Sequence, residues 1–349
     1  MKRFVTLPIA AVMLSACVTT GTEADYPAFP VTAVFETPVM DSAGDSADDP
    51  AIYIGENGTG FIAGTDKQSG LYIYNLDGSL REYMPLGMIN NVDLREGFSY
   101  RGQDHVLLVA SDDETNSIVT LLYDARADAF IEPEGHFIST GNVSPYGICL
   151  GQIDDGSFQI GVTTKAGIFS QYTVAAQGQA LTLTKSREFS TQKQTEGCAF
   201  DDRTDSLYLA VELGALSHYP APPEAEPTRT DIATRREFGL RDDMEGVTVY
   251  EDGANSGYVI VSSQGNNSYG VFSLPSFDYA GRFEIKDGSI DGVTSTDGIA
   301  VTSEYTARFP KGFLVVQDDM DDTSPPSEDF KKQNFKVIDW RDIQAQLKK

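Results

Sequence analysis

Six residues able to hold a cation or contact a phosphate recur at nearly even spacing: Asp49, Asp93, Tyr146, Glu196, Glu245 and Asp297. Each opens a short apolar run, as in Asp49-Pro50-Ala51-Ile52-Tyr53, Glu245-Gly246-Val247 and Asp297-Gly298-Ile299-Ala300-Val301, and the intervals are 44, 53, 50, 49 and 52 residues. A second series, Lys67, Asp113, Lys165, Glu212, Gln264 and Asp318, stands at the end of the next apolar run of each unit. Carboxylates gathered in one place repel one another unless protons or cations neutralise them. Hard oxygen ligands beside glycines that lend backbone carbonyls suit Ca2+ better than Zn2+. Lysines in the same setting would meet an anion. The combined chemistry is metal-assisted reaction at a phosphate.

A period of about 50 residues that carries several short strands is the signature of propeller blades, so the expected fold is all-β with six blades. In an up-and-down blade the innermost strand starts on the rim to which the second strand returns. Both series should therefore line one mouth of a central channel. Val31-Thr32-Ala33-Val34-Phe35-Glu36 is a strand without a unit, and the last unit shows no clear fourth strand. Pairing the first into the second would close the ring and remove two exposed edges. Residues 31–349 then form one domain, with Asp339 to Lys349 as a short surface helix.

Charge narrows the partners. The chain has 52 acidic and 26 basic residues among 349, a net charge of −26, which repels nucleic acid phosphates. His105, His136 and His218 fall outside both series, which argues against a histidine-based transition-metal site. No G-x-S-x-G, Walker sequence or Cys/His nucleophile pair is present. Lys2 and Arg3, the apolar run Leu7 to Leu14, and Leu14-Ser15-Ala16-Cys17 read as a lipoprotein signal peptide over residues 1–16, with Cys17 lipidated and 17–30 as a tether. The expected location is the bacterial cell envelope, outer membrane or periplasm, with membrane contact through the lipid alone and the protein a monomer. Cys149 and Cys198 lie three and two residues past their blade-opening residues. Strand alternation would point them to opposite faces, so no disulfide is expected.

Several segments together resemble the β-propeller phytases: Asp48-Asp49-Pro50-Ala51-Ile52-Tyr53, Lys67-Gln68-Ser69-Gly70-Leu71, Asn90-Asn91-Val92-Asp93-Leu94-Arg95, Gln194-Thr195-Glu196-Gly197, Asp243-Met244-Glu245-Gly246, Ser262-Ser263-Gln264-Gly265-Asn266, Thr296-Asp297-Gly298-Ile299 and Asn334-Phe335-Lys336. They run in order from about Glu36 to Trp340. The resemblance implies a six-bladed enzyme that uses several Ca2+ ions to hydrolyse phosphomonoesters of myo-inositol hexakisphosphate (phytate) by direct attack of water. It assigns Lys67, Tyr146 and Lys165 to the substrate phosphates, and Glu196 to both the reacting centre and the metal. It assigns Glu36, Asp48, Glu212, Asp243, Glu245, Gln264, Asp291, Gly292 and Asp318 to calcium, Asp49 to a structural calcium between the first two blades, and Asp297 to a ligand or its support.

Three positions depart from that family. Asp113 stands where it has an arginine, Ala166 where it has a glutamate beside the lysine, and Met320 near the place of another glutamate. An arginine clamp replaced by a carboxylate loses on the order of 2–3 kcal/mol of phosphate stabilisation. Two other readings follow: a calcium-stabilised propeller that binds inositol phosphates or a protein without turnover, and a phosphatase or phosphodiesterase for another ester.

Overall fold

A computed structural model describes residues 22–325 and 327–348; the signal segment and Cys17 lie outside the described residues. Among those described, the strands form six sheets of four or five strands arranged as propeller blades. The innermost strands are Ala47–Ile54, Ile89–Tyr100, Ile148–Gln152, Thr195–Asp201, Val247–Glu251 and Ile299–Thr302. Each pairs antiparallel with the strand that follows it. Second strands such as Ser206–Val211 and Phe313–Asp318 are buried throughout. A strand covered on both faces reads as a continuous apolar run, which is why these segments were legible without alternation. The cores lie in the seams: Ala51, Phe61 and Ala63 of blade one pack with Val92, Leu108 and Ala110 of blade two.

The repeated acid-Gly phrase has a packing cause. A Cβ added at Gly147 would lie 1.9 Å from the carbonyl oxygen of Glu196, one at Gly197 2.1 Å from that of Glu245, and one at Gly246 2.8 Å from that of Asp297. At Gly298 it would lie 2.6 Å from the carbonyl of Asp48, which closes the ring from blade six to blade one. Each glycine thus admits the backbone of the next blade's mouth residue. A hydroxyl from the second strand ties the same seam in four blades. Thr65 accepts from the Asp49 amide at 2.9 Å and donates to the Asn90 carbonyl at 2.6 Å. Ser111 links the Asn91 amide to the Tyr146 carbonyl, Thr163 links Gly147 to Glu196, and Ser262 links Gly246 to Asp297, all at 2.7–3.0 Å.

These contacts define the mouth ring as Asp48, Asn90, Tyr146, Glu196, Glu245 and Asp297, and they correct the expected ring in its first two blades. Pairing of the innermost strand is irregular between Ala47 and Pro50 and between Ile89 and Val92. Bulges there shift the alternation, so Asp49 and Asp93 turn into the central channel instead. Each then ties its blade to the next: Asp49 accepts from the Val92 amide at 3.2 Å, and Asp93 from the Leu150 amide at 2.8 Å. A third irregularity, between Thr195 and Cys198, overturns the expectation for the cysteines. Cys149 and Cys198 lie on innermost strands of neighbouring blades and are joined as a disulfide, with Cα atoms 5.6 Å apart. Alternation counted without the bulge gave Cys198 the wrong face.

The chain ends also differ from expectation. The single strand read over 31–36 is two short ones. Phe29–Val31 pairs parallel with Tyr279–Ile285 at the edge of blade five, and Phe35–Glu36 pairs antiparallel with Asn334–Asp339 as the outer strand of blade six. Of the stretch read as a tether, residues 22–30 lie against blade five: Glu23 pairs with Arg241 at 2.7 Å, and the Tyr26 carbonyl accepts from Arg282 at 3.0 Å. The C-terminal helix Trp340–Gln344 is capped by Asp339. It is anchored rather than superficial, because Trp340 and Ile343 are fully buried and the Trp340 ring stacks on Tyr250 at 4.0 Å.

Candidate functional site

At the mouth, Glu196 and Glu212 from blade four meet Glu245 from blade five, with one carboxylate oxygen of each within 4.8 Å of the others. All three side chains are buried. Glu212 Oε1 and Glu245 Oε2 are enclosed without any hydrogen-bond donor. Burial, then the charges of Glu196 and Glu212, push the Glu245 carboxyl up to about 11. Burial also raises Glu212, to about 7, with Asp243 adding to the effect. Acidic oxygens buried together without donors are stable only when protons or a cation offset their charge. Glu196 is the best held of the three: Asn90 Nδ2 donates to its Oε1 at 2.8 Å. Asp243, at φ 44°, offers its carbonyl to the Gln264 amide at 2.9 Å.

Lys67 lies in a nest of carboxylates. Its ammonium is 2.9 Å from Asp48, 3.3 Å from Asp45 and 3.5 Å from Asp297. Burial alone would lower its pKa, but Asp48, Asp297 and Glu196 raise it well above the ordinary value. Both oxygens of the buried Asp48 lack a well-aligned hydrogen bond, and burial pushes this carboxyl up to about 8 despite Lys67. Asp297 is raised to about 7 for the same reason, and accepts from the Gln264 side-chain amide. Asp45 was not singled out in the sequence, because it stands before the repeat in a loop with no periodic signal.

Tyr146 and Lys165 stand together on blade three. The Lys165 ammonium lies 4.5 Å from the centre of the Tyr146 ring and 4.0 Å from Asp113. Burial, then the Glu196 carboxylate, raise the Tyr146 phenol well above its ordinary value, so it stays a neutral donor. Asp113 stands in the outer series as expected, and its contact with Lys165 is long and solvent-exposed.

Other expected ligands gather elsewhere. Asp318 is not in the outer ring. It ends its strand fully buried, and Asp319 takes the ring position, accepting from Lys331 and Gln333. The Asp318 carboxylate instead lies 3.2 Å from the ammonium of Lys336, which also pairs with Glu36 at 3.2 Å and with Asp291. Glu36 and Asp291 make a second acidic trio with Asp321, a residue that sequence reasoning missed. Asn334 Oδ1 beside them is buried without a partner. Gly292 follows Asp291 and donates its amide to Asp287 at 2.8 Å; as a calcium ligand it would act through its carbonyl oxygen.

The raised carboxyls have a measurable consequence. In the folded protein free of cations, Asp48, Glu212, Glu245 and Asp297 keep protons that the unfolded chain has lost above the ordinary carboxylate range. Folding takes up protons there, so stability falls as pH rises. In chelator, the thermal midpoint should be lower at pH 8.5 than at pH 5.5, and a saturating divalent cation should narrow the gap. A midpoint that rises over this interval in chelator would show that the cluster is not proton-loaded.

A family model described as Phytase matches residues 3–349. A 3-phytase of Bacillus subtilis (strain 168) is 34% identical over 356 aligned residues, covering 98% of this chain and 92% of the relative. Among solved structures, the fold is similar to an α-L-arabinanase of Penicillium chrysogenum (TM-score 0.53, 12% identity, 89% of this chain and 98% of that one) and to regucalcin of Agrobacterium tumefaciens (TM-score 0.52, 13% identity, 89% and 96%). At such identity these two speak for the propeller fold alone. A match along the whole length, to both the family model and a relative of similar size, decides the family: this chain belongs to the phytases.

Proposed function

We propose that the mouth hydrolyses phosphomonoesters of phytate, releasing inorganic phosphate, with Ca2+ held by the Glu196–Glu212–Glu245 cluster and its neighbours Asp48, Asp243, Gln264 and Asp297. The observation that carries this reading is the juxtaposition of orphaned, buried carboxylate oxygens with two lysines and a phenol on one rim. Donors that are all hard oxygens fit Ca2+. When bound, the ions would offset the carboxylate charge and polarise both ester and attacking water. Lys67 keeps its proton because carboxylates surround it, and Lys165 and the neutral Tyr146 hydroxyl complete a set of donors for phosphate oxygens. The Asn90 amide fixes the orientation of Glu196 beside Tyr146. The Glu36–Asp291–Asp321 trio, with Asn334 and Asp318, is the proposed second calcium position, where Lys336 already supplies one positive charge.

Purified protein should release phosphate from phytate near neutral pH with added Ca2+ and lose that activity in EDTA. No release at any Ca2+ concentration would overturn the enzymatic reading, and calorimetric phytate binding without turnover would replace it with a binding module.

The Asp113 carboxylate competes with substrate for Lys165. In Asp113→Arg the competitor becomes a bidentate phosphate ligand, and KM for phytate should fall by about tenfold or more. An unchanged or higher KM would place the substrate phosphates away from Lys165.

We further propose that the chain is a monomeric lipoprotein of the cell envelope, anchored at Cys17. The Leu14-Ser15-Ala16-Cys17 sequence and a disulfide that needs an oxidising compartment support this. Cys17→Ala should move the protein from the membrane fraction to the soluble one; retention in the membrane fraction would remove the anchor.

A further inference from the structure

The Cys149–Cys198 bond crosses the seam between blades three and four. Three residues before Cys149 stands Tyr146, and two residues before Cys198 stands Glu196. These are the two mouth residues whose side chains interact across that seam. The same seam holds the closest of the glycine contacts, Gly147 against the Glu196 carbonyl, and the Thr163 hydroxyl that bridges them. It also bears a load. Glu196 faces Glu245 of blade five, with carboxylate oxygens within 4.8 Å, and blade four could relieve that repulsion by moving away from blade five. Space is reserved for the sulfurs: a Cβ at Gly161, opposite Cys149, would lie 2.8 Å from Cys149 Sγ.

We propose that the Cys149–Cys198 disulfide is a positioning device for the mouth, holding Tyr146 and Glu196 in register across the seam so that the carboxylate cluster keeps its cation-binding geometry, and that its reduction loosens the site. This rests on the reading of that cluster as a cation site. Cys149 is fully buried, but Cys198 is 9% exposed and lines the central channel, which encloses about 390 Å³. The route for a small dithiol is the channel that Cys198 lines. Its thiolate attacks a sulfur of the bond and its second thiol completes the exchange. One disulfide becomes two protein thiols, and the two electrons come from the dithiol, which leaves as its own disulfide.

The neighbouring tyrosine supplies a direct readout. Tb3+ bound at Glu196, Glu212 and Glu245 should give tyrosine-sensitised luminescence, and the part lost in Tyr146→Phe reports this site. The full chain would be titrated with Tb3+ oxidised, after dithiol reduction, and as Cys149→Ser/Cys198→Ser, with free thiols counted and folding followed by circular dichroism. Reduction and the double variant should each weaken Tb3+ binding by about tenfold or more and diminish the Tyr146-dependent emission while the β signal persists. Reoxidation should restore both in the wild type only. Phytate hydrolysis should lose kcat more than KM.

Unchanged Tb3+ affinity and emission with both thiols exposed to the titrant would overturn the proposal. So would loss of the β signal in both forms, which would make the bond a requirement of folding. An oxidised protein that binds Tb3+ with Tyr146-dependent emission yet cleaves no phytate would count against the enzymatic reading only, with the positioning role still decided by the reduced form.

Discussion

Everything at the mouth depends on how closely one blade's innermost strand approaches the next. A glycine in each of blades three to six admits a neighbouring carbonyl at a distance no side chain would permit. In four blades a Ser or Thr hydroxyl, accepting from its own blade and donating to the next, converts that approach into a specific hydrogen-bonded seam. Such hydroxyls are buried and satisfied on both sides, which is the condition under which a polar group in a core adds specificity at little cost. The carbonyls they grip belong to Asn90, Tyr146, Glu196 and Asp297. The seams and the site are therefore one construction: the contacts that close the ring also fix the backbone from which the functional side chains project.

Close approach also creates the electrostatic problem. Carboxylates on neighbouring blades are brought within a few ångströms of one another and removed from water, where their repulsion is poorly screened. Two solutions are visible in the same ring. In blade six an internal cation does the work: the Lys336 ammonium is fully buried among Glu36, Asp291 and Asp318. Between blades four and five, among the described residues, oxygens of Glu212 and Glu245 remain without partners. Lys67 stands between these extremes, half-claimed by Asp48, Asp45 and Asp297 and still open to the mouth. Its neighbours hold it charged, and one fifth of its side chain stays exposed.

The blade count, the second strands and most mouth residues were legible because apolar runs and acid-Gly pairs recur at one period. What stayed hidden was phase within a strand. Bulges near Asp48, Asn90 and Glu196 add a residue without changing the period, so Asp49 and Asp93 were read at the mouth when they line the channel. Cys198 was given the wrong face by the same mechanism. A hint was present in the glycines. Asp49 occupies the position that Gly147, Gly197, Gly246 and Gly298 hold in other blades, so the residue before it, Asp48, had to be the mouth residue. Asp321 and Asp45 carry no periodic signal, and only the folded loops bring them to their clusters.

The internal cation of blade six also explains why the N-terminal segment divides. Phe35 and Glu36 pair with Val337 and Lys336, so Glu36 is the direct cross-strand neighbour of the buried lysine. Without Glu36, Lys336 would keep Asp291 and Asp318 and the ion cluster would lose one negative charge. Without the strand, the edge of Asn334–Asp339 would be exposed. Charge pairing and edge pairing thus select the same register, and a one-residue slip would turn Glu36 away from Lys336 to the opposite face. Residues 29–31 have no such charge at stake and are held along blade five by strand pairing and apolar packing, with Phe29 stacked on Phe283 and Val31 buried. The division of the segment follows from that difference: its end is held by a buried ion cluster, while its start takes the nearest free edge.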